Sequence, residues 1–242
     1  MPVELAFRPH TWDRDIWNSV AIHNEYQLAG PFTPEDSVLD IGAHIGSFAY
    51  KALDLGAGRV LCVEPDPDSF NFLRHNLHSA CGATDRAVLL YGAAVASKPY
   101  QPHGPIYVAP VGTNTGGSNT IGQDGIPVAG LELAELIRLA TCHTGAPLSL
   151  MKMDCEGMEW QLLERGDYEL VEAIVGEWHG VEDPSLFPML QLDGPRRRAD
   201  LIRLLRRQGF TVATHATGPY LGLFWGWREG CSKFYAHVQP DS

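Results

Sequence analysis

Short apolar segments alternate with stretches of helical periodicity along most of this chain, and this alternation constrains the fold more than any other feature. The strand candidates are residues 37–41, 59–63, 87–95, 148–153, 173–177, 211–215 and 221–227. The first five are nearly continuous apolar runs, which is typical of parallel strands that are buried on both faces. The helix candidates are residues 11–28, 48–55, 68–80, 131–141, 156–165 and 199–208.

Alternating strands and helices predict an α/β fold with a doubly wound, mostly parallel seven-stranded sheet. Only a few residues separate the last two strand candidates, so we expect them to form an antiparallel pair at one edge. The length of 242 residues fits a single domain over residues 1–242. Residues 1–30 are predicted to form a helical segment that precedes the first strand.

Two segments rich in proline and glycine interrupt the alternation, at residues 99–130 and 181–198. Each follows the C-terminal end of a predicted strand, where ligands bind in open α/β sheets. Long irregular segments inside compact domains often serve binding. We therefore predict both as substrate loops, with plain surface loops as the alternative.

Charge and composition exclude several classes of protein. The net charge of −11, from 18 Lys and Arg against 29 Asp and Glu, argues against nucleic acid or an anionic membrane as the main partner. No apolar run reaches the roughly 18 residues of a membrane-spanning helix, and residues 1–10 lack the pattern of a signal peptide. The five cysteines share no metal-finger spacing. We expect no membrane insertion and a reducing, cytoplasmic location.

A glycine-rich turn follows the first strand candidate, in the run Asp40-Ile41-Gly42-Ala43-His44-Ile45-Gly46. Its glycines let the backbone approach a ligand closely. Glu64 ends the next strand candidate, where an acid can bind both hydroxyls of a ribose. The third glycine of the dinucleotide fingerprint is missing. These features predict a nucleoside-type cofactor over the first two strand ends; the alternative is a purely structural turn with a solvated Glu64.

The same run resembles motif I of class I S-adenosylmethionine-dependent methyltransferases. Two further motifs make the chain similar to one family of this class, the FkbM family. These motifs are Glu64-Pro65 and Lys152-Met153-Asp154-Cys155-Glu156-Gly157-Met158-Glu159. The resemblance covers about residues 35–210. One departure is Leu131-Glu132-Leu133-Ala134-Glu135-Leu136, where the family tends to have a T-L-D-E-L-like helix start.

The resemblance implies a Rossmann-like fold, S-adenosyl-L-methionine as cofactor and a set of contacts to it. The residues implied are Asp40, Gly42, Ala43, Gly46, Glu64, Ala94 and Ser118. Glu64 would bind the ribose hydroxyls, the glycine turn would surround the methionine part, and Ala94 would lie near the adenine. Asp40 would order the turn or meet the methionine amine indirectly. Ser118 is a candidate for the cofactor carboxylate, with a simple turn serine as its alternative.

Polar side chains also end the fourth and fifth strand candidates. Asp154 and Glu177 stand at those ends, and His179 follows two residues after Glu177. Neighbouring strand ends face one crevice in such a sheet, so we predict these three as catalytic residues beside the transferred methyl group. The alternative is that Asp154 caps the next helix and that Glu177 pairs with Lys152 or an arginine.

An acceptor hydroxyl must lose its proton to become a good nucleophile. A histidine can act as general base, or a divalent ion can polarise the hydroxyl. Mg²⁺ usually takes only one or two protein carboxylates, which makes Asp154 and Glu177 candidate magnesium ligands. Some related sugar O-methyltransferases outside this family use Mg²⁺ and acids at these strand ends.

We therefore predict an S-adenosylmethionine-dependent O-methyltransferase that acts on a hydroxyl of a sugar, saccharide or related small molecule. Three alternatives stay open: an N- or C-methyltransferase on a natural product, a nicotinamide-dependent oxidoreductase, and a non-catalytic module that only binds the cofactor. Trp225 and Trp227 share one face of a predicted edge strand. That strand is therefore a candidate contact for a homodimer.

Overall fold

The computed structural model describes residues 4–82, 85–96, 106–109, 113–117, 124–187, 190–231, 234–235 and 238–241. Its helices are α1 (Asp13–Trp17, continued by a π-helical turn, Asn18–Ile22), α2 (Ser47–Asp54), α3 (Pro67–Cys81), α4 (Leu133–Thr141), α5 (Glu159–Arg165) and α6 (Arg198–Arg207). Its strands are β1 (Ser37–Ile41), β2 (Arg59–Glu64), β3 (Ala87–Tyr91), β4 (Ala93–Val95), β5 (Ile106–Val108), β6 (Ile126–Val128), β7 (Gly130–Glu132), β8 (Leu150–Met153), β9 (Ala173–His179), β10 (Thr211–Gly218) and β11 (Leu221–Trp227).

Seven strands form the central sheet, in the order β10-β11-β9-β8-β1-β2-β3. The pairs from β9 through β8, β1 and β2 to β3 are parallel. The strands β10 and β11 form an antiparallel pair at one edge, and β11 is also antiparallel to β9. The predicted α/β fold with a mostly parallel sheet and an antiparallel edge pair is confirmed.

Helices cover both faces of this sheet. One core cluster joins α4, α5 and α6 to the first face and includes Leu39 of β1. The other joins α2 and α3 to the second face and includes Val38 of the same strand. Successive side chains of a strand point to opposite faces, and all of β1 is buried. This double burial is the reason that β1 is largely apolar, with Ser37 and Asp40 as its buried polar residues.

Residues 87–95 form two strands rather than the single predicted one. The chain leaves the central sheet at Gly92, whose amide still donates to the Glu64 carbonyl at 3.1 Å. Ala93 then pairs with Gly130, so that β4 joins β7 in a separate two-stranded sheet. The helix predicted from residue 131 begins at Leu133 for the same reason, because residues 130–132 belong to β7.

Two predicted helices begin or end differently because residues take left-handed backbone conformations. The first helical segment stops at Ile22 instead of reaching residue 28, since Asn24 and Gln27 have φ of 56° and 52°. The helix predicted from residue 156 begins at Glu159, because Glu156 and Gly157 have φ of 53° and 103°. A left-handed residue cannot continue a right-handed helix.

The predicted dimer contact through β11 is wrong. The strand lies inside the sheet between β9 and β10 rather than at its edge. Trp225 is only 3% exposed, and its Nε1 donates to the Tyr26 carbonyl at 2.8 Å. A homodimer through another surface stays a prediction. Within the described part of the chain, no helix combines the length and apolar composition that crossing a membrane requires.

Candidate active site

A cavity of about 620 Å³ opens at the C-terminal ends of β1, β2, β8 and β9. Its volume is in the usual range for small-molecule sites. The predicted site residues that line it are Gly42, Ala43, Glu64, Ala94, Asp154, Glu177 and His179. Asp40 and Gly46 are not among the described residues that line it, and Ser118 lies outside the described residues. Most of the predicted cofactor and catalytic residues therefore share one cavity.

The glycine turn is held against the neighbouring strand ends. The amides of Gly42 and Ala43 both donate to the Val63 carbonyl, at 3.0 and 3.1 Å. Gly42 has φ of +75°, and a Cβ at this position would lie 1.8 Å from the Asp154 carbonyl oxygen. Gly42 is therefore required both by its backbone conformation and by the close approach of the chain after β8.

Alanine at position 42 is expected to be far more destabilising than alanine at position 145. Gly145 has a similar φ, +67°, but no described atom lies within 4 Å of an added Cβ. The Gly145→Ala change should cost about 1 kcal/mol of unfolding free energy, from the positive φ alone. The Gly42→Ala change should cost about 3 kcal/mol or more, because the turn must also move away from Asp154. Urea unfolding of both variants measures the difference, and equal losses would contradict the packing account.

Glu64 is held rigidly at the end of β2 and is only 5% exposed. Its Oε2 accepts from the amide of His44 and its Oε1 from the amide of Asp66, each at 2.7 Å. Each oxygen keeps a further lone pair for a ligand hydroxyl. Burial raises the pKa of Glu64 to about 7. The side chain is therefore a fixed pair of acceptors at one end of the cavity.

Asp40 acts on the glycine turn through a lysine. It is fully buried, and its Oδ1 lies 3.5 Å from the Nζ of Lys152, its register partner on β8. The same Nζ donates to the Gly42 carbonyl at 2.6 Å and lies 3.6 Å from Asp154 Oδ2. Burial alone would lower the pKa of Lys152, but Asp154 and Asp40 raise it. Of the two roles that the resemblance implied for Asp40, this geometry supports the ordering of the turn.

His179 is oriented by the carboxylate of Glu159. Glu159 is fully buried at the start of α5. Its Oε1 accepts from the His179 amide at 2.7 Å and lies 2.9 Å from His179 Nδ1. Its Oε2 accepts from the amide of Gly157 at 2.8 Å. Because Nδ1 contacts Glu159, the Nε2 atom is the ring nitrogen of His179 that is available on the cavity side.

Further carboxylates surround that Nε2 atom. Glu156 Oε2 lies 3.2 Å and Glu177 Oε2 lies 3.7 Å from it. Burial raises the pKa of Glu156 to about 7 and that of Glu177 to about 8. Burial alone would lower the pKa of His179, but Glu159, Glu156 and Asp154 raise it to about 10. Carboxylates outnumber cationic side chains in this part of the cavity, which therefore favours a positively charged ligand.

The N-terminal segment forms a wall of the cavity that local sequence patterns did not reveal. Trp12, Asp15 and Ser19 line it, together with Tyr26. The Tyr26 hydroxyl donates to Asp154 Oδ2 at 3.0 Å. Tyr26 thereby joins the N-terminal segment to the strand end that carries Asp154.

The two predicted substrate loops differ in their relation to the cavity. Within residues 99–130, Asn114 and Gly116 line it. Within residues 181–198, no described residue lines it; Leu190 is fully buried, and Val181 forms a β-bridge with Arg196. The role of residues 181–198 as a substrate loop stays a prediction.

Comparison with known proteins gives a family for the chain. Solved structures of similar fold include a precorrin-6y C5,15-methyltransferase from Geobacter metallireducens GS-15, 13% identical with a TM-score of 0.45 over 93% of this chain and 94% of that one. A magnesium protoporphyrin IX methyltransferase from Synechocystis PCC 6803 with bound SAM is 12% identical, with a TM-score of 0.44 over 89% and 79% of the two chains. An FkbM methyltransferase from Methylobacillus flagellatus KT is 13% identical, with a TM-score of 0.49 over 87% and 48%.

No curated protein sequence matches this one. The family model of the methyltransferase FkbM domain matches residues 40–212. These residues include the glycine turn, Glu64 and the strand ends that carry Asp154 and His179. The chain therefore belongs to the FkbM methyltransferase domain family.

Proposed function

We propose that this protein is an S-adenosyl-L-methionine-dependent O-methyltransferase that methylates a hydroxyl of a sugar, saccharide or related small molecule. The observation that carries the proposal is the layout of one cavity. Glu64 stands at the end of β2, and Asp154 and His179 stand at the ends of β8 and β9. A ribose-binding acid and a proton-accepting cluster therefore face the same space, with the glycine turn between them.

The cofactor end of the cavity has the hydrogen-bond acceptors and apolar surfaces that this cofactor requires. The two Glu64 oxygens, each held by a backbone amide, suit the two ribose hydroxyls. Val63, Ala93 and Ala94 supply an apolar wall for the adenine ring. When bound, the cofactor supplies an electrophilic methyl group on a sulfonium. Ser118 as a ligand of its carboxylate stays a prediction.

The acceptor end supports hydroxyl chemistry. A hydroxyl must give up its proton, and the ionised carboxylate of Asp154 can take it. His179, whose pKa of about 10 keeps it protonated near neutral pH, and Glu177 can position the acceptor by hydrogen bonds. Excess negative charge there disfavours an anionic acceptor. The aromatic rings of Trp12 and Tyr26 suit the apolar face of a sugar. Magnesium held by Asp154 and Glu177 stays a prediction of the sequence.

A screen of acceptors tests the proposal. Purified protein is given S-adenosyl-L-methionine with a panel of hydroxylated compounds, with and without Mg²⁺, and release of S-adenosylhomocysteine is measured. We expect release with at least one sugar or related hydroxyl compound. Turnover only with amine or carbon acceptors would favour the N- or C-methyltransferase. Binding of the cofactor without turnover on any acceptor would favour a binding module.

The pKa of Glu64 predicts that cofactor affinity depends on pH. A protonated carboxyl has fewer acceptors for the ribose hydroxyls, so the ionised form binds more tightly. Affinity for S-adenosylhomocysteine should rise by about tenfold between about pH 6 and about pH 8, as Glu64 passes its pKa of about 7. The groups around it should change less, since burial lowers the pKa of His44 while Asp154 and Asp40 keep Lys152 charged.

Calorimetric titrations at several pH values measure this dependence. S-adenosylhomocysteine lacks the sulfonium charge of S-adenosyl-L-methionine. Its affinity should therefore depend less on the ionisation of Asp154, Glu156 and Glu177. The matched control is Glu64→Gln, whose weaker binding should show little dependence on pH. A wild-type affinity that stays flat over this range would contradict the assigned role of the carboxylate.

A further inference from the structure

We propose that Asp154, Glu156 and His179 bind one divalent transition-metal ion at the acceptor end of the cavity. One ligand atom from each of these side chains lies within 4.8 Å of the others. Ligands about 2.1 Å from a shared ion lie roughly 3–4 Å apart. Small side-chain rotations would therefore close the site around an ion.

The contact between Glu159 and His179 also supports a metal site. A histidine that binds a metal usually donates its other ring N–H to a carboxylate or carbonyl, which fixes the tautomer and orients the ring. Glu159 does this for His179, with Oε1 2.9 Å from Nδ1. Glu159 is itself fully buried and held by the amides of His179 and Gly157. This rigid support leaves Nε2 in the cavity as a preset ligand atom.

Glu156 reaches the site because of its backbone. It has φ of 53°, outside the helix that begins at Glu159. In this conformation its Oε2 comes within 3.2 Å of His179 Nε2, while Glu177 Oε2 lies farther away, at 3.7 Å. The ligand set inferred from the structure therefore has Glu156 where the sequence suggested Glu177.

The imidazole ligand decides the class of metal. Imidazole nitrogen suits Mn²⁺, Co²⁺, Zn²⁺ and similar ions, whereas Mg²⁺ prefers an all-oxygen set. The role of the ion rests on the proposed function, because at this place it would polarise the acceptor hydroxyl and lower the pKa of that hydroxyl. The site itself rests on the side-chain geometry alone.

Metal binding is tested directly on the full chain after treatment with a chelator and dialysis. Mn²⁺ is titrated in and followed by electron paramagnetic resonance. We expect one saturable Mn²⁺ per chain, with nitrogen coupling from an imidazole, and displacement by Mg²⁺ only at about tenfold or greater excess. No saturable binding would mean that the cluster is only an ion-pair network, and the proposal would be wrong.

Variants identify the ligands. His179→Asn and Glu156→Gln should each weaken Mn²⁺ binding by at least about tenfold, and His179→Asn should also remove the nitrogen coupling. The positioning variant Glu159→Gln should weaken binding by about tenfold while some nitrogen coupling remains. The exposed His215→Asn is the matched control and should bind as the wild type does. Loss of binding in Glu177→Gln with full binding in Glu156→Gln would overturn the ligand set.

Binding of S-adenosylhomocysteine is measured on the same samples, so that misfolded variants are recognised. The two proposals then fail separately. Wild type that binds S-adenosylhomocysteine but no Mn²⁺ would overturn the metal site and leave the proposed function standing. Wild type that binds Mn²⁺ but no S-adenosylhomocysteine would overturn the proposed function and leave the metal site.

Discussion

Replacement of Glu64 by alanine is expected to weaken binding of S-adenosyl-L-methionine by about 100-fold or more. The carboxylate is the pair of acceptors that would receive both ribose hydroxyls, and hydrogen bonds to a charged group each contribute about 1.5–3 kcal/mol. In the wild type, the amides of His44 and Asp66 each donate to the Glu64 carboxylate at 2.7 Å. Alanine removes both of these hydrogen bonds. The turn that shapes the cofactor end would therefore loosen as well.

Calorimetry with S-adenosyl-L-methionine measures this loss, and Glu35→Ala is its matched control. Glu35 is exposed and precedes the same sheet, so its removal should leave the affinity unchanged. Glu64→Gln separates the two parts of the effect, because glutamine can keep one amide partner while it loses the charge and one acceptor. Glu64→Ala with unchanged affinity and an intact fold would refute the ribose-binding role.

Asp154→Asn is expected to lower kcat by about 100- to 1000-fold on the acceptor that the screen identifies. Asp154 lines the cavity at the end of β8, accepts from the Tyr26 hydroxyl at 3.0 Å and lies 3.6 Å from the Nζ of Lys152. The asparagine is nearly isosteric, so the packing around it is kept. It cannot take the acceptor proton, and it is a poorer metal ligand than a carboxylate.

The measured quantities are kcat and the Kd of S-adenosylhomocysteine, which should respond differently. The Kd should stay close to the wild-type value, since this ligand lacks the sulfonium charge and both Glu64 and the apolar adenine wall are unchanged. Asp68→Asn is the matched control, because Asp68 is exposed at the start of α3 and lies outside the cavity lining. Full turnover by Asp154→Asn would show that this carboxylate takes no part in methyl transfer.

Much of the fold follows from local patterns in the sequence. A strand that is buried on both faces is mostly apolar, and this composition made β1, β2 and β8 predictable from the sequence. The split of residues 87–95 at Gly92 does not follow, because it depends on pairing with β7, which lies more than thirty residues later in the chain. The position of β11 inside the sheet also depends on long-range pairing and left no local signal.

The site also has a part that local sequence patterns predict and a part that depends on long-range contacts. Glu64 and Asp154 stand at strand ends, and the strand-helix pattern is enough to bring their ends together. The support of His179 by Glu159 was not predicted, because it depends on the left-handed backbone of Glu156 and Gly157. The contact of Tyr26 with Asp154 joins residues that are 128 positions apart. Only the folded chain shows that the N-terminal segment lines the cavity.

Titration of the wild-type chain with S-adenosyl-L-methionine, with NADH as the comparison ligand, tests the central claim most directly. The account predicts saturable binding of one S-adenosyl-L-methionine per chain, in the micromolar range or tighter, with loss of binding in Glu64→Ala and no comparable affinity for NADH. Binding of NADH in place of S-adenosyl-L-methionine, or no binding of S-adenosyl-L-methionine by the folded protein, would contradict it.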